Sequence, residues 1–244
     1  MSLILCQRID HVMVLTLNRQ DKLNALTQPM YAALTDYLND AELDNEVHAV
    51  LIQGSDQCFT AGNDLDDFLA MDANLAAMPV HGFLRRLATF SKPLIAAVAG
   101  PAIGIGTTVL LHCDLVYCAD NAKLRLPFVN IGLVPEAASS LLLPQRIGRA
   151  QAAELLLLGK VFDGDKAKAL GLVNQVLPAD QLLPYALEQA LAVAAQPPQA
   201  LQATKALLKV DEAAIIATME AEEAAFDKAL QGPEAKAILR AMRQ

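Results

Sequence analysis

Tryptophan is absent from this chain and aromatic residues together make up only 5% of it, so a core must be assembled from closely packed Ala, Leu, Val and Ile. Positive charge is sparse too. The 244 residues hold 19 Lys and Arg against 27 Asp and Glu, a formal charge of −8, and Arg85 and Arg86 are the one pair of neighbouring cations. A protein that follows a phosphate backbone needs clustered Lys and Arg, so nucleic acid is excluded as a partner. Long apolar runs are missing as well. Leu94 to Ala99 and Val109 to Leu111 fall far short of the roughly 18 residues that would cross a bilayer, and no membrane attachment is expected. Cys6, Cys58, Cys113 and Cys118 show neither a Cys-x-x-Cys pair nor matching histidine spacing, which argues against a metal site and against a disulfide framework. Buried thiols in a reducing, cytoplasmic compartment are expected instead. Met1 to Cys6 lacks the basic and apolar regions of a secretory leader and Ala241 to Gln244 lacks the peroxisomal tripeptide, so a mature cytoplasmic chain beginning at Met1 is the expectation.

What is present is ample apolar surface. Hydrophobic residues make up 54% of the chain and charged residues 19%, a balance that offsets the entropy of ordering the backbone and excludes disorder. The first fifty or so residues read as strand, strand, helix, strand. Arg8-Ile9-Asp10 reads as a turn into a strand over His11 to Leu17. Thr27 reads as a helix cap ahead of Pro29, with Met30, Leu34, Tyr37 and Leu38 on one helical face. His48 to Gln53 reads as a strand that ends in a turn at Gly54 to Gln57. A helix over Val80 to Phe90, a buried strand over Leu94 to Val98, an apolar helix after Gly100-Pro101-Ala102, and strands over Asp114 to Cys118 and Lys123 to Leu126 follow. Such alternation predicts an α/β fold with covered parallel strands.

Beyond Glu136 the pattern is mostly helical. Asp163 and Asp180 read as caps, Gly159 and Gly171 as terminators, and Pro197-Pro198 as a break. In the Ala-rich end, Ala214, Thr218, Ala221 and Ala225 share a helical face that suits close packing on the chain's own core or on a neighbouring subunit.

Gly100, Gly104 and Gly106 do not make a nucleotide loop. A dinucleotide fingerprint from Gly104 would need glycine where Val109 stands, and no Gly-x4-Gly-Lys-Ser/Thr loop occurs. No Gly-x-Ser-x-Gly elbow is present. His11, His48, His81 and His112 adjoin no nucleophile and read as structural or surface residues.

Two glycine turns remain, Phe59-Thr60-Ala61-Gly62-Asn63-Asp64-Leu65 and Gly100-Pro101-Ala102-Ile103-Gly104-Ile105-Gly106. Each follows a predicted strand and opens a predicted helix, which leaves backbone N–H groups free to meet an anion. They are either ordinary strand-to-helix turns or, facing each other, an oxyanion hole. A third feature is Glu136, an isolated acid within Ile131 to Ser140 near a predicted helix start. An apolar pocket would raise its pKa and a helix N-terminus would lower it.

These turns, with Lys92-Pro93-Leu94-Ile95-Ala96-Ala97-Val98 before the second and Asn18-Arg19 to Asn24-Ala25-Leu26 near the start, resemble the enoyl-CoA hydratase/isomerase (crotonase) superfamily over nearly the whole chain. Gly62-Asn63-Asp64-Leu65, Gly100 to Ile105 and Pro135-Glu136-Ala137 are most similar to its monofunctional peroxisomal-type 3,2-enoyl-CoA isomerases and their bacterial relatives. The resemblance implies a spiral core of repeated ββα units over residues 1–196 and a C-terminal helical trimerisation region over residues 197–244. It implies a homotrimer or a dimer of trimers working on acyl-CoA thioesters in fatty acid metabolism, with coenzyme A part of the substrate and no separate cofactor.

The resemblance also implies that the amides of Asn63 and Ile105 hold the thioester oxygen. Lys22, Asn24, Ala25, Leu26, Ala61, Gly62, Asp64, Leu65 and Gly104 would border the CoA and acyl groups, with Phe128 either in the acyl tunnel or in the core. Hydratases of that superfamily use two glutamates, and the matching positions here are Thr108 and Phe128, neither of which is a carboxylate. Glu136 stands where the isomerases carry their single acid. A 3-enoyl-CoA to 2-enoyl-CoA shift is therefore expected, with hydration, ring-expanding isomerisation, thioester hydrolysis or non-catalytic acyl-CoA binding as alternatives. Ala138 replaces a frequent glycine and would narrow the site. Arg19, Lys22 and Lys92 are candidate partners for the CoA phosphates, and Phe68 to Val80 is expected to cover the acyl tunnel.

Overall fold

The computed structural model describes residues 2–69, 78–209 and 211–242. The chain opens with a hairpin of β1 (Ile4–Ile9) and β2 (Val12–Leu17), followed by α1 (Gln28–Leu43) and β3 (Ala49–Gln53). Next come α2 (Leu65–Leu69), α3 (Pro79–Thr89), β4 (Leu94–Val98), β5 (Pro101–Ile103), α4 (Ile105–Thr108), β6 (Leu115–Ala119) and β7 (Lys123–Arg125). The remainder runs α5 (Ser139–Ile147), α6 (Arg149–Leu158), β8 (Phe162–Asp163), α7 (Gly164–Ala169), β9 (Gln175–Leu177), α8 (Ala179–Ala194), α9 (Pro198–Leu208), α10 (Glu212–Gln231) and α11 (Pro233–Met242). Short 3-10 turns at Val109–His112 and Val129–Ile131 link some of these.

Two sheets grow together as the chain advances. The larger has the order β1-β2-β3-β4-β6-β9 and the smaller β5-β7-β8. Beyond the antiparallel hairpin the larger sheet is parallel, with Val14 beside Leu51, Leu51 beside Ile95 and Ala96 beside Val116. In the smaller one Ala102 pairs with Leu124 and Leu124 with Phe162. Single parallel bridges, Thr60 to Ala102 and Leu26 to Asn63, continue that smaller ladder back to earlier turns of the chain. Each circuit therefore lays one strand on the large sheet, a short extended segment on the small one, and then a helix. This is the predicted repeating ββα spiral.

Strand alternation decides which side each residue covers. Val50, Ile52, Leu94, Ala96, Val98 and Val116 face the main core with α1 and α3. Ala49, Leu51, Ile95, Ala97 and Tyr117 face outward against α8, which presents Leu182, Ala186, Ala190 and Ala194. One residue in four along α8 is thus buried on one stripe, and small alanines let the helix lie close to the strands.

Several sequence expectations change here. Thr27 precedes α1, but its hydroxyl makes no cap; the Gln28 amide donates instead to Asp67 Oδ2 at 2.7 Å. On α1, Tyr31 is fully buried while Tyr37 is only partly so. Asp163 caps α7 by accepting from the Lys166 amide, whereas Asp180 lies inside the first turn of α8 behind Pro178. The short β5 lies inside the second glycine turn, ahead of its helix, and β8 and β9, too short to carry a pattern, interrupt the helical second half. Cys6 is exposed on the edge strand, unlike the other three cysteines. On α10 the buried residues are Ile215, Met219, Glu222 and Leu230, so the Ala214, Thr218, Ala221 and Ala225 face is not the one packed on the core. Among the described residues no helix is long and apolar enough to cross a membrane.

Lys92 is the clearest correction. It is 4% exposed, and its ammonium donates to the carbonyls of Ala41, Asp44 and Val47 at 2.6, 2.8 and 2.8 Å. The group ties off the C-terminal end of α1, whose last carbonyls have no helical donor, and it has no hydrogen to spare for a phosphate. Replacing Lys92 by Met would strand these buried carbonyls. A loss of about 3 kcal/mol is expected, read as a lower urea midpoint with an unchanged slope.

Candidate active site

The two glycine turns lie side by side because their backbones pair. The Thr60 amide donates to Pro101 O at 2.9 Å and the Ile103 amide to Thr60 O at 3.1 Å. Closeness at this seam depends on missing side chains. A Cβ on Gly62, whose φ is +96°, would sit 2.8 Å from Ile103 O, and one on Gly106 would sit 2.6 Å from Thr60 Cγ2. Behind the seam Thr60 Oγ1 donates to Asn24 O at 2.7 Å, and Asn24 Nδ2 donates to Cys58 O and Phe59 O at 3.2 and 3.0 Å.

The flanking amides are committed. Leu26 N donates to Gly62 O at 2.8 Å, Asp64 N to Leu26 O at 2.9 Å and Gly104 N to Arg125 O at 2.9 Å. Among the described residues the amides of Asn63 and Ile105 have no backbone acceptor, and both residues line one cavity of about 450 Å³. The Asn63 side chain is held from behind by the buried Tyr31 hydroxyl, which donates to Asn63 Oδ1.

Of the predicted residues, Lys22, Ala25, Ala61, Gly62, Asn63, Asp64, Leu65, Gly104, Ile105 and Phe128 line this cavity. Asn24 and Leu26 are brought to its back but not into its wall. Asn24 is fully buried and Leu26 is 5% exposed, so they brace the turns. Arg19 pairs with Asp64 at 2.6 Å and also donates to Ala25 O. Burial pulls the Asp64 carboxyl upward, but the Arg19 hydrogen bond and the amides of Asp67 and Asp66 outweigh it and leave the pKa below its ordinary value. Lys22 is exposed at this cavity. Arg125, which sequence reading passed over, lines it too while donating to Gly159 O at 2.7 Å. Of the segment expected to cover the tunnel, residues 70–77 lie outside the described residues.

Glu136 lines a second, smaller cavity of about 40 Å³ that shares Asn63 with the first. Its Oε1 is hydrogen-bonded to the Thr108 hydroxyl. Burial pushes the carboxyl from 4.5 up to about 8, against the Thr108 hydrogen bond and with help from the charge of Glu222. The apolar surroundings win over a helix N-terminus because α5 starts only at Ser139, leaving Glu136 short of its first turn.

The segment after Glu136 is strained and braced. Ala137 and Ala138 have φ of +61° and +54°, in the left-handed region that L residues with a Cβ seldom occupy. Three contacts hold them there. His112 Nε2 donates to Ala137 O at 2.8 Å, with burial pushing this imidazole down to about 4 and keeping it neutral. From α10, Glu222 Oε2 accepts from Ala138 N at 2.7 Å and Oε1 from Ser140 N at 2.8 Å. The carboxylate thus fills the capping role at α5 that no local side chain takes.

His81 on α3 and Glu222, Glu223, Phe226 and Asp227 on α10 also line the smaller cavity. Sequence reading missed all five as site residues. One signal was available: Ile215, Met219, Glu222, Phe226 and Leu230 follow a helical stripe in which a glutamate interrupts apolar positions. The C-terminal helical region therefore supplies walls to the site in addition to any contact with other subunits.

Comparison with known proteins follows the same lines. The family profile described as enoyl-CoA hydratase/isomerase matches residues 7–241. The chain is 36% identical over 228 residues to the 2,3-dehydroadipyl-CoA hydratase of Escherichia coli K12, a span covering 93% of this chain and 89% of that protein. It is 35% identical over 215 residues to enoyl-CoA delta isomerase 2 of Rattus norvegicus, covering 86% of this chain and 55% of that one. The crystal structure of an enoyl-CoA hydratase/isomerase from Pseudoalteromonas atlantica T6c superimposes with a TM-score of 0.95 at 39% identity, covering 99% of this chain and 97% of that one.

The raised carboxyl has a consequence for stability. Between pH 4.5 and about 8 the folded protein keeps a proton on Glu136 that the unfolded chain has released, so this residue withdraws stability as the pH rises through that window. Glu136→Gln removes the loss. The Tm of the variant minus that of the wild type is expected to grow by several degrees from the acid end of the window to the alkaline end. A pH-independent difference would contradict the assignment.

Proposed function

This chain belongs to the enoyl-CoA hydratase/isomerase family, and on that premise we propose that it moves the double bond of a 3-enoyl-CoA to the 2-trans position. The observation that carries the reading is the meeting of one raised carboxyl with a hydroxyl. Glu136 faces Thr108, at the position where the resemblance to hydratases would put the first of their two glutamates, while both oxygens of Glu222 are occupied by amides.

Moving a double bond needs one proton carrier. The Glu136 carboxylate takes a proton from C2, the electron pair spreads onto the thioester oxygen, and the same carboxyl returns the proton at C4. The amides of Asn63 and Ile105 receive the charge on that oxygen. Preorganised donors of this kind stabilise an enolate by roughly 3–4 kcal/mol each, because they need no reorientation as the charge appears. The larger cavity takes the thioester and pantetheine, with exposed Lys22 beside the phosphates, and the smaller one takes the acyl chain. Such a shift requires no cofactor besides the CoA of the substrate.

A homotrimer or dimer of trimers fits the large apolar side chains left open on the surface, among them Leu207 at 88% and Leu208 at 80% exposure. Four unpaired thiols fit a reducing, cytoplasmic compartment, and the reaction fits the β-oxidation of unsaturated fatty acids.

Glu136→Gln is expected to lower kcat on 3-enoyl-CoA by about 10²–10⁴-fold. Because the base must be ionised, kcat/KM of the wild type should climb with pH, reach half its limit near pH 8 and level off above that. A variant with near wild-type activity, or faster turnover of 2-enoyl-CoA by hydration than of 3-enoyl-CoA, would sink the reading. The amide donor is tested separately. Ile105 is the first residue of α4, a position that tolerates proline, so Ile105→Pro deletes one N–H and should reduce kcat by about 10²–10³-fold.

A further inference from the structure

The smaller cavity is not lined as an alkyl chain would require. Val80, Leu84, Met219 and Phe226 supply apolar wall, but His81, Glu223 and Asp227 line it as well. Among the described residues His81 Nδ1, Glu223 Oε1 and Asp227 Oδ1 are buried without a hydrogen bond. His81 is only 8% exposed. Its Nδ1 lies 2.9 Å from Glu223 Oε1, out of line for a hydrogen bond, and Glu223 Oε2 is taken by Arg85 Nη2 at 2.9 Å. Buried polar atoms without partners are costly and uncommon, and here three of them belong to residues that line the space next to Glu136.

An unsubstituted hydrocarbon in that space would offer these atoms no partner. A hydroxyl donates to a carboxylate oxygen and accepts from an imidazole N–H, which is the pairing they lack. A terminal carboxylate would bring a further negative charge against Glu223 and Asp227, with Arg85 already paired. The cavity of about 40 Å³ holds only a few heavy atoms, given that a single water needs roughly 10–15 Å³ on the same measure. We infer that the acyl group this site selects is short and carries a hydroxyl at or near its far end, read by Asp227, Glu223 and His81 as specificity-determining residues. This rests on the acyl-CoA reading of the cavity, and on nothing about which bond is rearranged.

The test is binding by calorimetry of saturated acyl-CoA thioesters over a short series of chain lengths, each length supplied unsubstituted, ω-hydroxylated and ω-carboxylated. At one or more lengths the wild-type protein should bind the hydroxylated thioester about tenfold or more tightly than the unsubstituted one, as for a hydrogen bond to a charged acceptor, and the carboxylated one weakest. Asp227→Leu should bring the hydroxyl-to-alkyl ratio to near one, and Glu223→Gln should reduce it. Equal or tighter binding of the unsubstituted thioester by the wild type at every length overturns the inference, and so does an unchanged ratio in both variants. The wild-type ratio stands even if a variant fails to fold. Because saturated thioesters cannot isomerise, this outcome is independent of turnover. Absent double-bond migration with the ratio intact would sink the isomerase reading alone, and migration of plain 3-enoyl-CoA with no hydroxyl preference would sink this one alone.

Discussion

Thr60 pairs with Ala102 through a single parallel bridge, and the rest of the site depends on that contact. It joins two segments that belong to successive circuits of the spiral, and it brings their next residues, Asn63 and Ile105, to the edge of one cavity with amides unspent. Neither amide is special chemically. Each is free because its neighbours have been given partners, Leu26 and Asp64 on one side and Gly104 on the other. The pair of open amides is thus a by-product of ladder geometry, and the glycines at 62 and 106 matter because a methyl at either would push the two circuits apart.

Much of this was readable in the sequence because it was written in repeated, strongly patterned units. The apolar runs at Val50 to Ile52 and Leu94 to Val98, the two glycine turns and the lone Glu136 all stood out, and the structure places the turns and the acid around connected space. What escaped was long-range. Lys92 reads as a surface cation in any window, since nothing nearby in sequence says that the end of α1 needs a donor. Asn24 reads as a ligand contact, although its amide is consumed by Cys58 and Phe59. The acidic wall on α10 left only one mark, Glu222 within an apolar stripe, for a similar reason. A helix that is amphipathic on several faces does not announce which face will meet a cavity built from residues far earlier in the chain. Strands of two or three residues, such as β8 and β9, have too few positions for a period to be seen.

The shortage of cations also takes on a meaning. Lys92 serves backbone carbonyls, Arg146 donates to Leu110 O and Leu111 O, Arg125 to Gly159 O, and Lys205 to Lys92 O and Asp114. These four positive side chains act as internal struts that satisfy backbone carbonyls and a carboxylate. Lys22 is the exposed cation at the larger cavity, and the net charge of −8 is felt by an anionic partner only within the screening length of the solution, about 8 Å at physiological salt. A local lysine at the cavity mouth outweighs a diffuse negative field.

Glu222 lies 84 residues beyond the Ala138 amide that it caps. The sheets and the paired turns are encoded earlier, whereas Phe226, Leu239 and Met242 in the wall of the larger cavity come later still, so a chain emerging from the ribosome has both turns before it has the far wall or the strut that fixes the strained backbone after Glu136. Both cavities are therefore completed late in synthesis, when α10 and α11 dock. A C-terminally clipped chain would lose the strut and part of the larger cavity's wall together.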